Sequence, residues 1–266
     1  MAESSFAQIA VLAVIQGLTE FLPVSSSGHL LLPPLLFGWP DQGLAFDVAF
    51  HSGTLIAVIG YFRRDLRRII AAGLRFGPGH AERRMLWLLA LATVPVGLAG
   101  WLLRDAVAIH ARSLVVVAAA SIGFGLLLSL ADLAGRRDRG IADIGWKTAL
   151  LIGLAQMLAL IPGASRSGVT MTAALLLRLD RESAARFSFL LAIPVMLASG
   201  ALEAVELLAN PPPARQLLML GFGMLLAAAV AWLTIDAFLR WIARVSFQPF
   251  VAYRVALGAA LLLFLA

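Results

Sequence analysis

The sequence contains no cysteine, a single lysine and few charged residues of any kind. Without cysteine the chain can form neither disulfides nor thiolate metal sites. Charged residues make up 14% of the 266 positions, hydrophobic residues make up 61%, and the mean hydropathy is +0.92. An ordinary soluble domain has about 25% charged residues. The composition therefore excludes an ordinary soluble domain and indicates a membrane protein.

The positive net charge does not indicate nucleic-acid binding. The formal charge is +6, and of the 21 basic residues only Lys147 is a lysine. The arginines cluster between apolar segments, as topology signals of membrane proteins do. We therefore expect the lipid bilayer as a partner and no nucleic acid. Residues 1–5 contain no basic residue, so we expect mature sequence here and not a signal peptide.

Six segments are long enough, or nearly so, to cross a bilayer, which takes about 20 helical residues. They are residues 44–62, 85–103, 113–131, 187–209, 215–239 and 250–266. Two further apolar stretches, residues 6–37 and 148–177, are each interrupted near the middle by proline, glycine and serine. Each half is too short to span, and broken backbone at membrane depth must be surrounded by protein or water. These stretches predict two re-entrant helix-turn-helix hairpins.

The arginine distribution predicts the orientation of the chain. Four connections are rich in basic residues and are predicted to be cytoplasmic: residues 63–84, 136–147, 178–186 and 240–249. Both flanks of the second hairpin then lie on one side of the membrane, as a re-entrant element requires. Both ends of the chain are predicted to lie on the other side.

The same pattern predicts one all-α membrane domain made of two halves, about residues 1–135 and 140–266. Each half is one hairpin followed by three spans, and because three is odd the second half is inverted. The hairpins echo each other at a spacing of 140, in the pairs Gln16 and Gln156, Ser25 and Ser165, Ser27 and Ser167, and Gly28 and Gly168. Inverted repeats with broken helices are typical of transporters, which keeps transport open as an alternative function.

The middle of the first hairpin, residues 20–29, is called the first tip. Gln16 and Glu20 share a helix face, and Pro23 ends the regular helix. The serines that follow can cap the next half-helix, whose free N–H groups favour an anion. His29 is a usable base or nucleophile near neutral pH. A kinked helix with capping serines is the alternative, but a buried glutamate and histidine in apolar sequence favour a functional site.

The middle of the second hairpin, residues 160–170, is called the second tip. Ser165 and Ser167 flank Arg166, and Thr170 follows one turn later. An arginine fork suits bidentate phosphate binding. The alternative is a buried ion pair between Arg166 and Glu20, and both roles can hold at different stages of a cycle. Together the two tips suggest a phosphoryl group carried on a lipid whose tail lies along the spans.

Other polar residues carry a weaker signal. Asp47 and His51 lie four apart at the start of the first span and can reach the site or lie at the interface. Asp236, Arg240 and Arg254 are interpreted as charges at helix ends.

These residues resemble the bacterial undecaprenyl-diphosphate phosphatases, membrane enzymes also associated with bacitracin resistance. The first motif runs from Gln16 through Glu20 to His29, and the second runs from Pro162 to Thr172. Further similarity lies in residues 51–54, 187–194 and 246–250, and in Tyr253 and Arg254. The resemblance covers essentially the whole chain. Many members have glutamate where this chain has Gln16.

The resemblance implies hydrolysis of undecaprenyl diphosphate to undecaprenyl phosphate and inorganic phosphate, which recycles the lipid carrier of peptidoglycan synthesis. It implies a divalent cation, magnesium or calcium, six spans with two re-entrant hairpins, a site facing outward from the inner membrane, and a homodimer. On this basis we expect Arg166 to bind the diphosphate with serines and a threonine of both tips: Ser25, Ser27, Ser165, Ser167 and Thr170. Glu20, helped by Gln16, is expected to hold the cation.

The attacking group is left open among three routes. Ser26 can be the nucleophile or a positioning group with His29 as its base or as the acid for the leaving group; His29 can itself attack phosphorus; or a metal-bound water can attack. The rival function is a flippase for polyprenyl phosphate. A pure transporter needs an anion site but no nucleophile and base, so Ser26 and His29 together favour catalysis.

Overall fold

The computed structural model describes residues 5–40, 43–74, 80–110, 113–209 and 211–265. The helices in these residues are α1 (Phe6–Thr19), α2 (Ser26–Phe37), α3 (Leu44–Tyr61), α4 (Arg63–Leu74), α5 (His80–His110), α6 (Leu114–Ala134), α7 (Trp146–Gln156), α8 (Arg166–Leu176), α9 (Arg181–Ala209), α10 (Ala214–Ile242) and α11 (Gln248–Leu265). Short 3-10 turns cover Ile141–Asp143 and Met157–Leu160. The prediction of an all-helical protein is confirmed.

Each of the six predicted spans forms a helix. Five of them, α3, α5, α6, α9 and α10, are long and apolar enough to cross a membrane. The sixth, α11, belongs with α1 and α7 among the shorter apolar helices. Leucine and tryptophan side chains cover the outer surface, with Leu218 78% exposed and Trp87 67% exposed. Such a surface suits lipid and not water, so the chain is a multi-pass membrane protein.

Both interrupted stretches fold as two helices with a break between them. In the first, α1 ends at Thr19 and α2 begins at Ser26. In the second, α7 ends at Gln156, a 3-10 turn follows, and α8 begins at Arg166. Proline before each new helix removes a backbone donor and disfavours continuation of the old one. The breaks therefore lie where the sequence predicts them.

One helix was not predicted. The arginine-rich connection after α3 folds as α4, which begins with Arg63 and carries Asp65 in its first turn. Arg186 of α9 donates to Asp65 at 3.1 Å and so joins this connection to the helical body. Farther along the chain, Arg178 hydrogen-bonds Asp138 and holds the pKa of that exposed carboxyl below its usual value.

Each hairpin packs against a long helix from the other half of the sequence. Helix α1 lies on α10, and α7 lies on α5. Glycines allow both approaches, because small residues let helix backbones come close in membrane proteins. A Cβ at Gly17 would lie 2.8 Å from the carbonyl oxygen of Ala227, and one at Gly153 would overlap the carbonyl oxygen of Ala92. The two tips are thereby brought together in the middle of the molecule.

Candidate active site

The two tips share one unusual backbone conformation. Ser25 has φ 74° and Ser165 has φ 72°, in the left-handed region that favours glycine. Each serine caps its helix, since Ser25 Oγ accepts from the N–H of Gly28 at 3.4 Å and Ser165 Oγ accepts from the N–H of Gly168 at 3.1 Å. Such a conformation costs about 1–3 kcal/mol and is concentrated at functional sites. The strain places two helix N-termini beside each other.

The tips touch through backbone and side chains. Ser167 donates its hydroxyl to the carbonyl oxygen of Leu22 at 2.8 Å. Arg166 Nη2 donates to Glu20 Oε1 at 3.1 Å, with only 13% and 7% of the two side chains exposed. The guanidinium also lies over the ring of Phe21, 5.9 Å from its centroid, within cation–π range. The predicted alternative of a buried ion pair between the hairpins is therefore observed.

Glu20 is the centre of the polar cluster. Its Oε2 accepts a hydrogen bond from the Ser26 hydroxyl at 2.7 Å and from Gln16 Nε2 at 3.0 Å. His51 Nε2 lies 4.0 Å from the same oxygen. With Arg166 on Oε1, both carboxylate oxygens are engaged, which is how a buried carboxylate stays ionised.

A cavity of about 160 Å³ opens beside this carboxylate. It is lined by Glu20, Ser25, Ser26, Ser27, His51, Ala159, Ser165 and Arg166. Pockets that enclose a drug-sized ligand have about 300–1,000 Å³, so this cavity can hold a charged head group but not a long lipid tail. Free N–H groups of the first turns of α2 and α8 lie at its rim, where the dipoles of both helices favour an anion.

His29 does not line this cavity. Its Nδ1 lies 2.7 Å from the carbonyl oxygen of Ser25, and its Nε2 lies 2.6 Å from the hydroxyl of Tyr253. A carbonyl can only accept, so Nδ1 carries the proton and Nε2 of the neutral ring accepts from the tyrosine. The rings of His29 and Tyr253 are stacked, with 5.6 Å between centroids. The hydroxyl of Ser26 is bonded to Glu20 and not to His29.

Two of the predicted phosphate ligands also point elsewhere. Ser167 is fully buried, and its hydroxyl joins the tips through Leu22. Thr170 is 1% exposed and lies 2.7 Å from the hydroxyl of Ser188 on α9. Of the residues expected to bind phosphate, those that line the cavity are Ser25, Ser27, Ser165 and Arg166.

The residues expected to hold a cation fit one with oxygen ligands. Gln16 Oε1 is buried and has no hydrogen-bond partner among the described residues, and it sits on the side chain that bonds Glu20. Amide and carboxylate oxygens suit magnesium and calcium. Within the described part of the chain no three histidine, aspartate, glutamate or cysteine side chains cluster. A cation here would therefore need phosphate oxygens of the substrate as further ligands, as magnesium often does.

Sequence reasoning missed one residue outright and undervalued another. The interpretation of Arg254 as a helix-end charge is wrong, because its side chain is fully buried and bonded to both tips. Only the adjacent Tyr253 would have hinted at its place, since both follow a turn with few polar residues. His51, which carried a weak signal, lines the cavity and faces Glu20. The pair of Asp236 and Arg240 is an exposed helix-end pair, as interpreted.

Comparison with known proteins follows the same residues. The chain is 50% identical over 258 residues to an undecaprenyl-diphosphatase of Thioalkalivibrio sulfidiphilus, which covers 96% of this chain and 97% of the relative. It is 49% identical over 259 residues to that of Nitrosococcus oceani, covering 96% and 97%. It is 51% identical over 261 residues to undecaprenyl-diphosphatase 2 of Stutzerimonas stutzeri, covering 96% of each. The family described as bacitracin resistance protein BacA matches residues 9–260. The chain therefore belongs to the BacA family of bacitracin resistance proteins.

Proposed function

We propose that this chain is an undecaprenyl-diphosphatase. It hydrolyses undecaprenyl diphosphate to undecaprenyl phosphate and inorganic phosphate, which returns the lipid carrier to cell-wall synthesis and confers resistance to bacitracin. The observation that carries the proposal is the hydrogen bond from Ser26 to Glu20, placed between two helix N-termini and next to Arg166. A nucleophile, a proton acceptor and a phosphate-binding cation then share one cavity.

The substrate's diphosphate binds in the cavity while its tail stays among the spans. Arg166 and the first turns of α2 and α8 supply charge and N–H donors for the phosphate oxygens. Ser25, Ser27 and Ser165 line the same walls and add hydroxyl groups. A diphosphate brings its own negative charge, so it competes with Glu20 for Arg166. The ion pair in the empty site and phosphate binding in the occupied site are thus two stages of one cycle.

The Ser26 hydroxyl attacks the terminal phosphorus. Its proton passes to Glu20, the bond from phosphorus to the bridging oxygen breaks, and undecaprenyl phosphate leaves with that oxygen. Water then attacks the phosphoserine, releases inorganic phosphate and restores the hydroxyl of Ser26. Phosphoryl transfer depends mainly on positioning and on neutralising the equatorial oxygens, which Arg166 and the helix N-termini provide. Attack by His29 or by water remains the competing route.

A divalent cation, magnesium or calcium, would be held by Glu20 and Gln16 and would neutralise charge on the phosphate oxygens. The free Oε1 atom of Gln16 supports this assignment. His29 supports the chemistry from behind the tip, because its Nδ1–H bond to the carbonyl of Ser25 stabilises the strained residue next to Ser26.

The arrangement in the membrane follows from the arginine distribution and the packing. Each hairpin lies on a helix of the opposite half, which supports an inverted repeat with two re-entrant hairpins and α11 as the sixth span. With the arginine-rich connections in the cytoplasm, the cavity opens toward the outer side of the inner membrane. Self-association as a homodimer stays a prediction.

The test is release of inorganic phosphate from undecaprenyl diphosphate by the purified protein in detergent, with and without a chelator. Cation-dependent release supports the phosphatase. A flippase acts only across a membrane, so well-folded protein without release under any cation would favour the transport alternative and leave the tips as an anion-binding gate.

A further inference from the structure

Arg254 is a cation with an unusual set of partners. It lies on α11 and is fully buried, among the largest side chains with no exposed surface. Among the described residues its guanidinium bonds only to backbone carbonyl oxygens. These belong to Pro23 at 3.1 Å, Gly163 at 2.9 Å, Ala164 at 2.9 Å, Ser121 at 3.1 Å and Ala120 at 3.4 Å.

The carbonyl partners come from three separate parts of the chain. Pro23 lies in the first tip, midway between Glu20 and Ser26. Gly163 and Ala164 lie in the second tip, immediately before the strained cap that leads to Arg166. The remaining two carbonyls belong to α6, against which α11 packs. A single planar group therefore ties the backbones of both tips to one helix pair.

The surroundings of the guanidinium leave it no room to shift. A Cβ at Gly168, in the first turn of α8, would lie 2.8 Å from Arg254 Nη1, and one at Gly125 of α6 would lie 3.2 Å from Arg254 Cβ. The hydroxyl of Ser121 also donates to the carbonyl oxygen of Arg254. Burying an arginine without a carboxylate is expensive, and the expense is met here only by bonds to the tips and to α6.

We propose that Arg254 is a positioning residue for the phosphatase reaction: it fixes the distance between Ser26 and Arg166 by holding the backbones of both tips. This inference rests on the proposed function. Arg254 does not line the cavity, so it acts on the substrate only through the groups it places. A displacement of about 1 Å in such groups can lower a rate about 100-fold. The planar fork is the reason for arginine, since five carbonyls in different directions match its five N–H groups.

Two substitutions separate the fork from packing and charge. Arg254→Lys keeps the positive charge and most of the stem but cannot reach carbonyls of both tips at once. Gly168→Ala keeps Arg254 itself and pushes a methyl group against its guanidinium. Arg240→Met is the matched control, because Arg240 also lies late in the chain but is 74% exposed and pairs with Asp236 of its own helix.

The first readout is phosphate release per folded molecule in detergent. Arg254→Lys and Gly168→Ala are expected to lower kcat about 100-fold while KM changes less than about threefold, because the cavity-lining groups are still present. Arg240→Met is expected to match the unmodified protein. A kcat of the folded Lys variant within about twofold of the unmodified protein would overturn the proposal.

The second readout is the distance between the hairpins, and it needs no substrate. The chain has no cysteine, so spin labels at Leu35→Cys on α2 and Leu176→Cys on α8 are the only ones present. Both positions are exposed, at 50% and 61%. The distance distribution is expected to be narrow in the unmodified protein and clearly broader in Arg254→Lys and Gly168→Ala. An unchanged distribution in both variants would refute the positioning role even if kcat fell.

The two readouts keep this inference separate from the proposed function. If the unmodified protein and Arg240→Met release no phosphate, the proposed function fails. The label distances then still decide whether Arg254 holds the tips together.

Discussion

Ser26 and Glu20 face each other across the break in the first hairpin, with 2.7 Å between the hydroxyl and the carboxylate. The two residues are six positions apart, and the bond exists because the backbone reverses at the strained Ser25. Arg166 from the second hairpin occupies the other carboxylate oxygen. The nucleophile and its proton acceptor are therefore arranged by one hairpin, and the phosphate-binding cation is added by the other.

Substitution of Ser26 tests the nucleophile. We expect Ser26→Ala to lower kcat at least about 1,000-fold, because no other hydroxyl is bonded to Glu20 among the described residues. Ser27→Ala, one position later and exposed to the cavity, is the control and is expected to lose less than about tenfold. Phosphate release measures both. If Ser26→Ala retains most of its activity, attack by water or His29 replaces the serine route.

Removal of Arg166 is expected to harm stability as well as activity. Arg166→Met leaves Glu20 buried without its cation, and breaking such a pair costs about 3–5 kcal/mol. The double variant Glu20→Gln with Arg166→Met is expected to recover much of that stability but no activity. Thermal unfolding in detergent measures the first effect. Equal stability of the single and double variants would show that the pair is not coupled.

His29 can be tested by a replacement that keeps one of its hydrogen bonds. The amide nitrogen of asparagine lies where Nδ1 of histidine lies, so His29→Asn can still donate to the carbonyl of Ser25. We expect His29→Ala to lose about 100-fold in kcat through misplacement of the tip, and His29→Asn to lose about tenfold or less. If both variants are equally inactive, His29 acts as the base or nucleophile and its role is chemical.

The cation requirement is expected to depend on position 16. Gln16→Glu adds a second carboxylate beside Glu20, and charge count is one of the main determinants of affinity for hard cations. We expect about tenfold less magnesium or calcium to be needed for half-maximal phosphate release, while a chelator abolishes release in both proteins. Binding of manganese followed by its magnetic resonance provides a readout without turnover. A higher cation requirement in the variant would contradict a role of position 16 at the cation.

The close approach of α7 to α5 gives a prediction about stability alone. Gly153→Ala is expected to destabilise the protein by about 1–3 kcal/mol, because its methyl group overlaps the carbonyl oxygen of Ala92. Gly97→Ala on α5 is the control, since no atom lies within 4 Å of the added carbon. Melting temperatures in detergent compare the two. Equal melting temperatures would mean that α5 and α7 can separate without loss.

The helices and the polar tips were predictable because bilayer thickness and the exclusion of polar groups from lipid act on sequence directly. Each interrupted stretch shows its break through proline, glycine and serine, and the break is where the backbone bends. The partner of Glu20 was foreseen as one of two alternatives, since a buried carboxylate and a buried guanidinium have few other ways to stay charged.

The directions of individual side chains were not predictable. His29 is three residues from Ser26, yet its ring turns toward Tyr253, more than 220 positions away in sequence. Arg254 looks like any arginine near the end of a helix until both tips are seen to converge on it. Residues whose partners are backbone carbonyls leave no complementary residue type elsewhere in the sequence, so no pairing pattern reveals them.

The bond between Arg254 and the carbonyl of Pro23 joins residues 231 positions apart. During synthesis the first hairpin is made almost at the start, but the helix that fastens it emerges near the finish. The ribosome thus delivers the catalytic serine long before the molecule can use it, and a nascent chain carrying both tips is still an inactive one. Activity begins as a single late event, when α11 enters the membrane and seats its arginine.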